Sequence, residues 1–194
     1  MKVTLKDGSV KEYSEPMSVN DIAFDIAGGL GRAACAGEVD GEVVDLRTVL
    51  DKDCELNILT ARDEKGLAVL RHTASHVMAE AVQTLFPEAK VAIGPSIDTG
   101  FYYDFECQSF SRDDLDAIEK EMKKIIKKGA KIERFTKSRE DAIAFFKEKN
   151  EPYKVELIED LPEGEEISFY SQGDWVDLCA GPHLMSTKGI KAFK

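Results

Sequence analysis

The sequence predicts an α+β chain in two parts: a small first part of strands around one helix, then a larger mixed α/β part with an antiparallel sheet and packed helices. Three observations carry this reading. Residues 1–60 alternate apolar and polar positions between Gly- and Asp-containing turns and hold one helical stretch. From residue 67 onward, longer runs of helical period alternate with short extended pieces. The 194 residues, 43% of them apolar, are enough for one large or two small cores.

In the first part, Val3 and Leu5 alternate with polar neighbours, Lys6-Asp7-Gly8-Ser9 reads as a turn, and residues 10–13 resume the extended pattern, so a hairpin is expected. Ser18 reads as an N-cap for a helix whose apolar positions are Ile22, Ala23, Ile26 and Ala27, and Gly28-Gly29 stops it. Extended pieces follow at residues 34–39, 42–44 and 55–59, broken by Asp40-Gly41 and Asp51-Lys52-Asp53. The order hairpin, helix, strands suits a ubiquitin-like β-grasp fold. Cys35 and Cys54 are expected to be small core residues.

After a charged joint, residues 67–86 read as one helix with an apolar stripe of Leu70, Ala74, Val77, Ala81 and Leu85, ended by Pro87. Residues 90–105 read as two extended pieces joined through Gly94-Pro95 and Asp98-Thr99-Gly100, with Phe101, Tyr103 and Phe105 sharing a face. Tyr103 could offer a hydroxyl to a ligand or simply pack. Ser111 caps a helix with Leu115, Ile118, Met122, Ile125 and Ile126 inward and a lysine-rich outer face, ended by Gly129. A strand at 132–136, a helix at 138–149, a strand at 153–158 carrying Lys154, and strands at 167–170 and 175–178 complete the reading.

All three histidines lie in two short segments, Arg71-His72-Thr73-Ala74-Ser75-His76 and Asp177-Leu178-Cys179-Ala180-Gly181-Pro182-His183. His72 and His76 are one helical turn apart, and Cys179 and His183 repeat the four-residue interval. Imidazole and thiolate donors so spaced suit a zinc tetrahedron. An i, i+4 histidine pair can equally be hydrogen-bonded with no ligand. The four cysteines lack any C-x-x-C pair and read as reduced thiols. A net charge of −11 opposes strong nonspecific binding to nucleic acid. No apolar run is long enough to cross a membrane and the start lacks a signal-peptide core, so a soluble cytoplasmic chain with no membrane partner is expected. A P-loop pattern is absent.

The opening residues, through Val3-Thr4-Leu5-Lys6-Asp7-Gly8-Ser9 and Val39-Asp40-Gly41-Glu42-Val43-Val44-Asp45-Leu46, resemble the TGS domain. The rest resembles the editing domain of the threonyl-tRNA synthetase family. The residues that carry this are His72-Thr73-Ala74-Ser75-His76, Ala92-Ile93-Gly94-Pro95, Gly100-Phe101-Tyr102-Tyr103-Asp104, Glu151-Pro152-Tyr153-Lys154-Val155 and residues 176–183, in the family's order. The resemblance divides the chain into a TGS-like β-grasp domain at residues 1–61 and an editing domain at 62–194. It implies hydrolysis of the ester in Ser-tRNA(Thr), the mischarged product of a threonine--tRNA ligase.

By the same resemblance, His72 and His183 are the main polar groups at the ester, and His76 and Cys179 complete the pocket. Lys154 stabilises developing negative charge, Asp177 orients a neighbour or binds the substrate amine, and Gly94 and Tyr103 are substrate-wall positions. Zinc at His72, His76, Cys179 and His183 is an option, as in alanyl relatives, but no cofactor is required for editing. Ala180 stands where many relatives have arginine, which puts in doubt a contact of that residue. The implied partners are tRNA(Thr) carrying serine and the remaining catalytic and anticodon-binding domains of a homodimeric, ATP-using parent. The chain is accordingly expected to be an amino-terminal piece. Two other readings are a non-catalytic TGS and editing-like binding module, as precedes the kinase domain of some nucleoside kinases, and a zinc-stabilised structural domain.

Overall fold

The computed structural model describes residues 1–193, which divide into two compact units. The first comprises Met1–Thr73 with Gly181–Met185, and the second Ala74–Ala180 with the residues from Ser186 onward. The expected α+β class holds, with antiparallel pairings and six α-helices among the described residues.

The first unit holds a five-stranded mixed sheet whose neighbouring strands are, in order, residues 10–12, 2–5, 54–60, 34–39 and 42–44. Strands β1 (Lys2–Leu5) and β2 (Val10–Glu12) form the expected hairpin. Its turn is closed by the Asp7 carboxylate, which accepts from the Ser9 backbone at 2.9 Å, and by Gly8 at φ 83°. Strand β3 (Met17–Ser18) leads into α1 (Val19–Ile26), where Ser18 caps as expected by accepting from the Asp21 N–H. The two glycines end α1 but do not end helical structure: a second helix, α2 (Gly28–Ala33), starts at Gly28 after one extended residue, Ala27. Gly31 lets it approach Phe24, since a β-carbon there would fall 2.4 Å from that ring.

Strands β4 (Ala34–Val39) and β5 (Glu42–Val44) join through Asp40-Gly41, both left-handed at φ 49° and 90°. This is the geometry an Asp-Gly hairpin favours. Strand β6 (Val49–Leu50) pairs with β3, and β7 (Cys54–Thr60) runs parallel to β1 at the sheet centre. Val3, Val19, Ile22, Ala23, Leu46, Leu50, Leu56 and Ile58 make the core, the arrangement of a β-grasp unit. Cys35 is buried, and Cys54 packs half-buried against that core.

Helix α3 (Glu64–Leu85) begins in the first unit and continues into the second. Of its expected stripe, Ala74, Val77 and Ala81 are buried and Leu70 is half-buried, whereas Leu85 is exposed. The buried surface extends instead to Val69, Thr73, Ser75, His76, Ala79 and Val82, because the helix is enclosed on more than one side.

In the second unit, β8 (Lys90–Val91) pairs with β11 (Phe105–Glu106), and β9 (Ser96–Ile97) with β10 (Gly100–Phe101), giving the expected extended arms and turns. Helix α4 (Arg112–Lys128) has a full capping box between Ser111 and Asp114 and ends on left-handed Gly129. Ile118, Met122 and Ile125 are buried, but Leu115, expected inward, is 52% exposed in the first turn of the helix.

Strand β12 (Ile132–Lys137), helix α5 (Arg139–Glu148), helix α6 (Pro152–Asp160), and strands β13 (Ile167–Gln172) and β14 (Trp175–Leu178) follow. The strands form an antiparallel sheet in the order β12-β13-β14, and a 3-10 turn at Thr187–Gly189 docks on α4 through Thr187 and Ile125. The expected strand at 153–158 is a helix. Pro152 occupies its first turn, where a fixed φ and a missing N–H favour helix, and Lys154 and Ile158, one turn apart, form its buried face. Phe146, Ile158, Ile167 and Phe169 form the core under the sheet, with Phe169 stacked between Phe135 and Phe146.

Gly66 at the start of α3 lies against the Thr60 carbonyl, 2.0 Å from where a β-carbon would sit. Gly66→Ala is therefore expected to lower stability by about 1–3 kcal/mol in urea unfolding, because backbone must move to admit the methyl.

Candidate functional site

In the second unit, the site is built around a buried ion pair. Asp177 comes from β14 and Lys154 from the first turn of α6, and each side chain is 2% exposed. Lys154 Nζ lies 2.6 Å from Asp177 Oδ1, and it also donates to the Ala92 carbonyl at 2.6 Å and to Tyr103 Oη at 2.9 Å. The three ammonium protons thus have three acceptors. Tyr103 Oη in turn donates to Asp177 Oδ2 at 2.5 Å, and the Leu178 backbone N–H donates to Oδ1 at 2.8 Å.

His76 enters from α3 with Nε2 3.6 Å from Asp177 Oδ2 and its ring edge-on to Trp175 and Tyr103. Burial alone would raise the Asp177 pKa. The Lys154 charge, then His76 and the hydrogen bonds from Lys154 and Tyr103, outweigh it and hold the carboxyl below its ordinary value. Burial and the Asp177 charge push the Tyr103 phenol far up, so it remains a donor.

Tyr103 is fixed by shape as well. It stacks on Phe105 at 5.2 Å, and a β-carbon on Gly94 would fall 2.0 Å from its ring, so only glycine admits the tyrosine there. The Gly94 carbonyl is held by Ser75 Oγ at 2.6 Å. Cys179 follows β14, half-buried, with its backbone N–H and carbonyl both bonded to Ser168.

In the first unit, His183 is 1% exposed and its ring lies 4.1 Å from that of His72. Thr73 Oγ1 donates to the Val69 carbonyl at 3.1 Å and accepts from the Leu184 N–H at 3.1 Å. His183 Nδ1 is 3.1 Å from the same oxygen. With the hydroxyl proton directed to Val69, Nδ1–H is the donor in the neutral ring and the lone pair sits at Nε2. Asp45 and Arg47 fix the backbone: Asp45 Oδ2 accepts from the His183 N–H, and Arg47 donates to the His183 and Leu184 carbonyls at 3.2 and 2.9 Å.

The structure thus joins Tyr103, Lys154, Asp177 and His76 in one network and places Gly94 behind Tyr103, while His72 pairs with His183. Sequence reasoning passed over Thr73, Asp45, Arg47 and the Ala92 carbonyl. Thr73 adjoins His72 and was the one with a signal, a polar residue inside a buried helical turn. The first unit thus carries His72 and His183 and the second carries His76 and Cys179, all of them residue types that can bind a metal ion. Three imidazoles and one thiol suit zinc, and the Thr73 bond to His183 is the orienting contact a metal-binding imidazole requires.

Two family models match. Residues 1–60 match the TGS domain, and residues 167–194 match the Threonyl and Alanyl tRNA synthetase second additional domain. The first unit is built on a TGS domain, and the chain carries sequence of a domain that accompanies threonyl- and alanyl-tRNA synthetases. Along its whole length the chain is 61% identical to a Threonine--tRNA ligase of Acetivibrio thermocellus, and 58% identical to that of Clostridium botulinum strain Hall, covering 31% of each. It is therefore similar throughout to the N-terminal region of bacterial threonine--tRNA ligases, and spans about a third of their length.

Asp177→Asn leaves the Lys154 charge buried without its counter-ion and is expected to cost about 3–5 kcal/mol near neutral pH. Because the folded pKa of Asp177 is depressed, its contribution is fully present above the ordinary carboxylate value of 3.8 and is lost as pH falls through the lower folded value. The stability gap between the two proteins, measured by urea unfolding, should narrow below pH 3.8. A gap independent of pH would contradict the assignment.

Proposed function

We propose that this chain is the TGS and editing region of a threonyl-tRNA synthetase, with domains at residues 1–61 and 62–194, and that it hydrolyses the ester of Ser-tRNA(Thr). The observation that carries the reading is the buried Lys154–Asp177 pair with Tyr103 and His76, a set of charged and polar groups more costly to bury than a packing role requires. Similarity along the whole of this chain to the N-terminal region of threonine--tRNA ligases supports the substrate class. Such a sieve is needed because a missing methyl is worth only about 1–3 kcal/mol of discrimination in a single site.

In the proposed reaction a water oxygen attacks the ester carbonyl carbon, the carbon–oxygen bond to the ribose breaks, and serine leaves as its carboxylic acid, which gives the second water proton to solvent and becomes the carboxylate. His183, with its lone pair at Nε2, takes the water proton and returns it to the departing ribose oxygen. His72, whose ring lies 4.1 Å from that of His183 at a tilt of 33°, holds the water or the terminal ribose. Asp177 orients His76 and is the group suited to the substrate ammonium. Lys154, whose donors are engaged, stabilises negative charge on the carbonyl oxygen by its field, or by exchanging its bond to Tyr103. Gly94 and Tyr103 form a wall, and Cys179 completes the pocket. Zinc, when bound at His72, His76, Cys179 and His183, would supply Lewis-acid polarisation and a more acidic water.

The partners in this reading are tRNA(Thr) carrying serine and the rest of a homodimeric synthetase, in the cytoplasm. None of the described helices is long and apolar enough to cross a membrane.

The test is deacylation of Ser-tRNA(Thr) and Thr-tRNA(Thr) by the chain, alone and joined to the remaining length of a relative. Serine is expected to be released and threonine spared, and His72→Ala and His183→Ala should each slow release by about a hundredfold or more. If both variants hydrolyse at the parental rate, the reading is wrong. Hydrolysis should also survive treatment with a chelator. Stoichiometric zinc by elemental analysis, with activity lost on its removal, would make the metal essential.

A further inference from the structure

Glu151 precedes α6 as its N-cap residue, yet its side chain does not cap that helix. It is 7% exposed and points elsewhere: Oε2 accepts from the Val91 backbone N–H at 3.1 Å, and Oε1 accepts from Gln83 Nε2 at 2.5 Å. Gln83 Nε2 also donates to the Ala89 carbonyl at 3.2 Å, while Gln83 Oε1 accepts from Trp175 Nε1–H at 2.8 Å. The direction of every bond is fixed. An indole is only a donor and a backbone carbonyl only an acceptor, so Gln83 has one allowed orientation and its partner must be a pure acceptor, which an ionised carboxylate is.

Each member of this relay adjoins one member of the ion-pair network. Glu151 is three residues before Lys154 on the same helix start, and Trp175 is two residues before Asp177 on β14. Val91, held by Glu151, adjoins Ala92, whose carbonyl receives Lys154 Nζ. Gln83 lies two turns beyond His76 on α3. The relay therefore ties α6, β8, α3 and β14 together, and it meets the ion-pair network where the Trp175 ring stands edge-on to His76.

We infer that Glu151, acting through Gln83 and Trp175, is a positioning residue that sets the register of Lys154 against Asp177, an inference that rests on the hydrolytic reading of this site. Glu151→Gln keeps the volume but adds a donor facing Gln83 Nε2. Gln83 must then turn over and abandon Trp175. Exchanging the two residues, Glu151→Gln with Gln83→Glu, restores the pattern: the new amide donates to the new carboxylate, which also accepts from Trp175, and only the Ala89 carbonyl loses its partner.

The experiment uses the whole 15N-labelled chain. Its single tryptophan gives one indole N–H resonance, and the buried Lys154 ammonium gives a second reporter. Glu151→Gln is expected to shift both resonances and to lower kcat for Ser-tRNA(Thr) by about tenfold or more, with KM changed less than about twofold, as for a small displacement of aligned groups. The exchanged double variant should recover most of the rate and both resonances.

If the single variant leaves the Lys154 resonance and kcat in place, or the double variant is no better than the single, the inference fails. Should Glu151→Gln not fold, Gln83→Glu alone, which keeps the acceptor for Trp175 but sets a carboxylate against Glu151, must still shift the Lys154 resonance. A parent chain that spares Ser-tRNA(Thr) would sink the proposed function alone, because the two resonances still decide the positioning.

Discussion

The ion pair between Lys154 and Asp177 is the constraint on which the second unit depends. Removing both charges from water costs several kcal/mol per ion, and their attraction offsets this only when the remaining donors and acceptors are also satisfied. Here they are. Lys154 reaches Asp177, Tyr103 and the Ala92 carbonyl, and Asp177 accepts from Lys154, Tyr103 and the Leu178 backbone. Meeting these demands fixes the start of α6, the arm that carries Ala92 and Tyr103, and the end of β14 relative to one another. A similar volume of leucine and methionine would fold as stably or more so, which is why the pair points to chemistry.

The first unit holds its histidine by a different means. His183 sits in a segment without regular structure, so its backbone is pinned by Asp45 and Arg47 of the β-grasp unit, and its ring by the hydroxyl of Thr73. Those bonds are to the backbone and to one ring nitrogen. They choose an orientation of the ring, and in the neutral ring a tautomer, without placing a carboxylate on the imidazole. In the proposed reaction the charged cluster beside Asp177 would serve charge stabilisation and the imidazole on Thr73 proton transfer.

Much of the fold was legible because local signals agreed with it. Ser18 and Ser111 cap helices, Gly129 ends one, and Asp40-Gly41 turns a hairpin, as their side chains and backbone freedom require. The failure at residues 153–158 is instructive. Tyr153, Val155 and Glu156-Leu157-Ile158 fit an alternating strand as well as a short helix, and the sequence signal that decides, Pro152 at the first turn, is easily read as a break. Leu115 and Leu85 misled because periodicity marks a face without saying where burial ends. At the site, His72, His76, Cys179 and His183 were visible from spacing. Thr73, Arg47 and the Gln83–Glu151 relay were not, since contacts made 60 to 140 residues apart leave no periodic trace.

Under the proposed function, rigidity is what a size sieve would require of these groups. A pocket that is to reject one extra methyl must cost more to expand than the methyl gains by entering, and soft walls would yield. Tyr103 meets the condition four times over: its hydroxyl is bonded to both charged partners, its ring is stacked on Phe105, and its edge is seated against a glycine that leaves no room behind it. To move the ring outward, at least one bond to a buried charge must lengthen in a low-dielectric setting, where such bonds are strongest. The ion pair that orders the fold would then also be what stiffens the wall, and a weakened Lys154–Asp177 contact should relax discrimination against threonine as well as slow hydrolysis of serine.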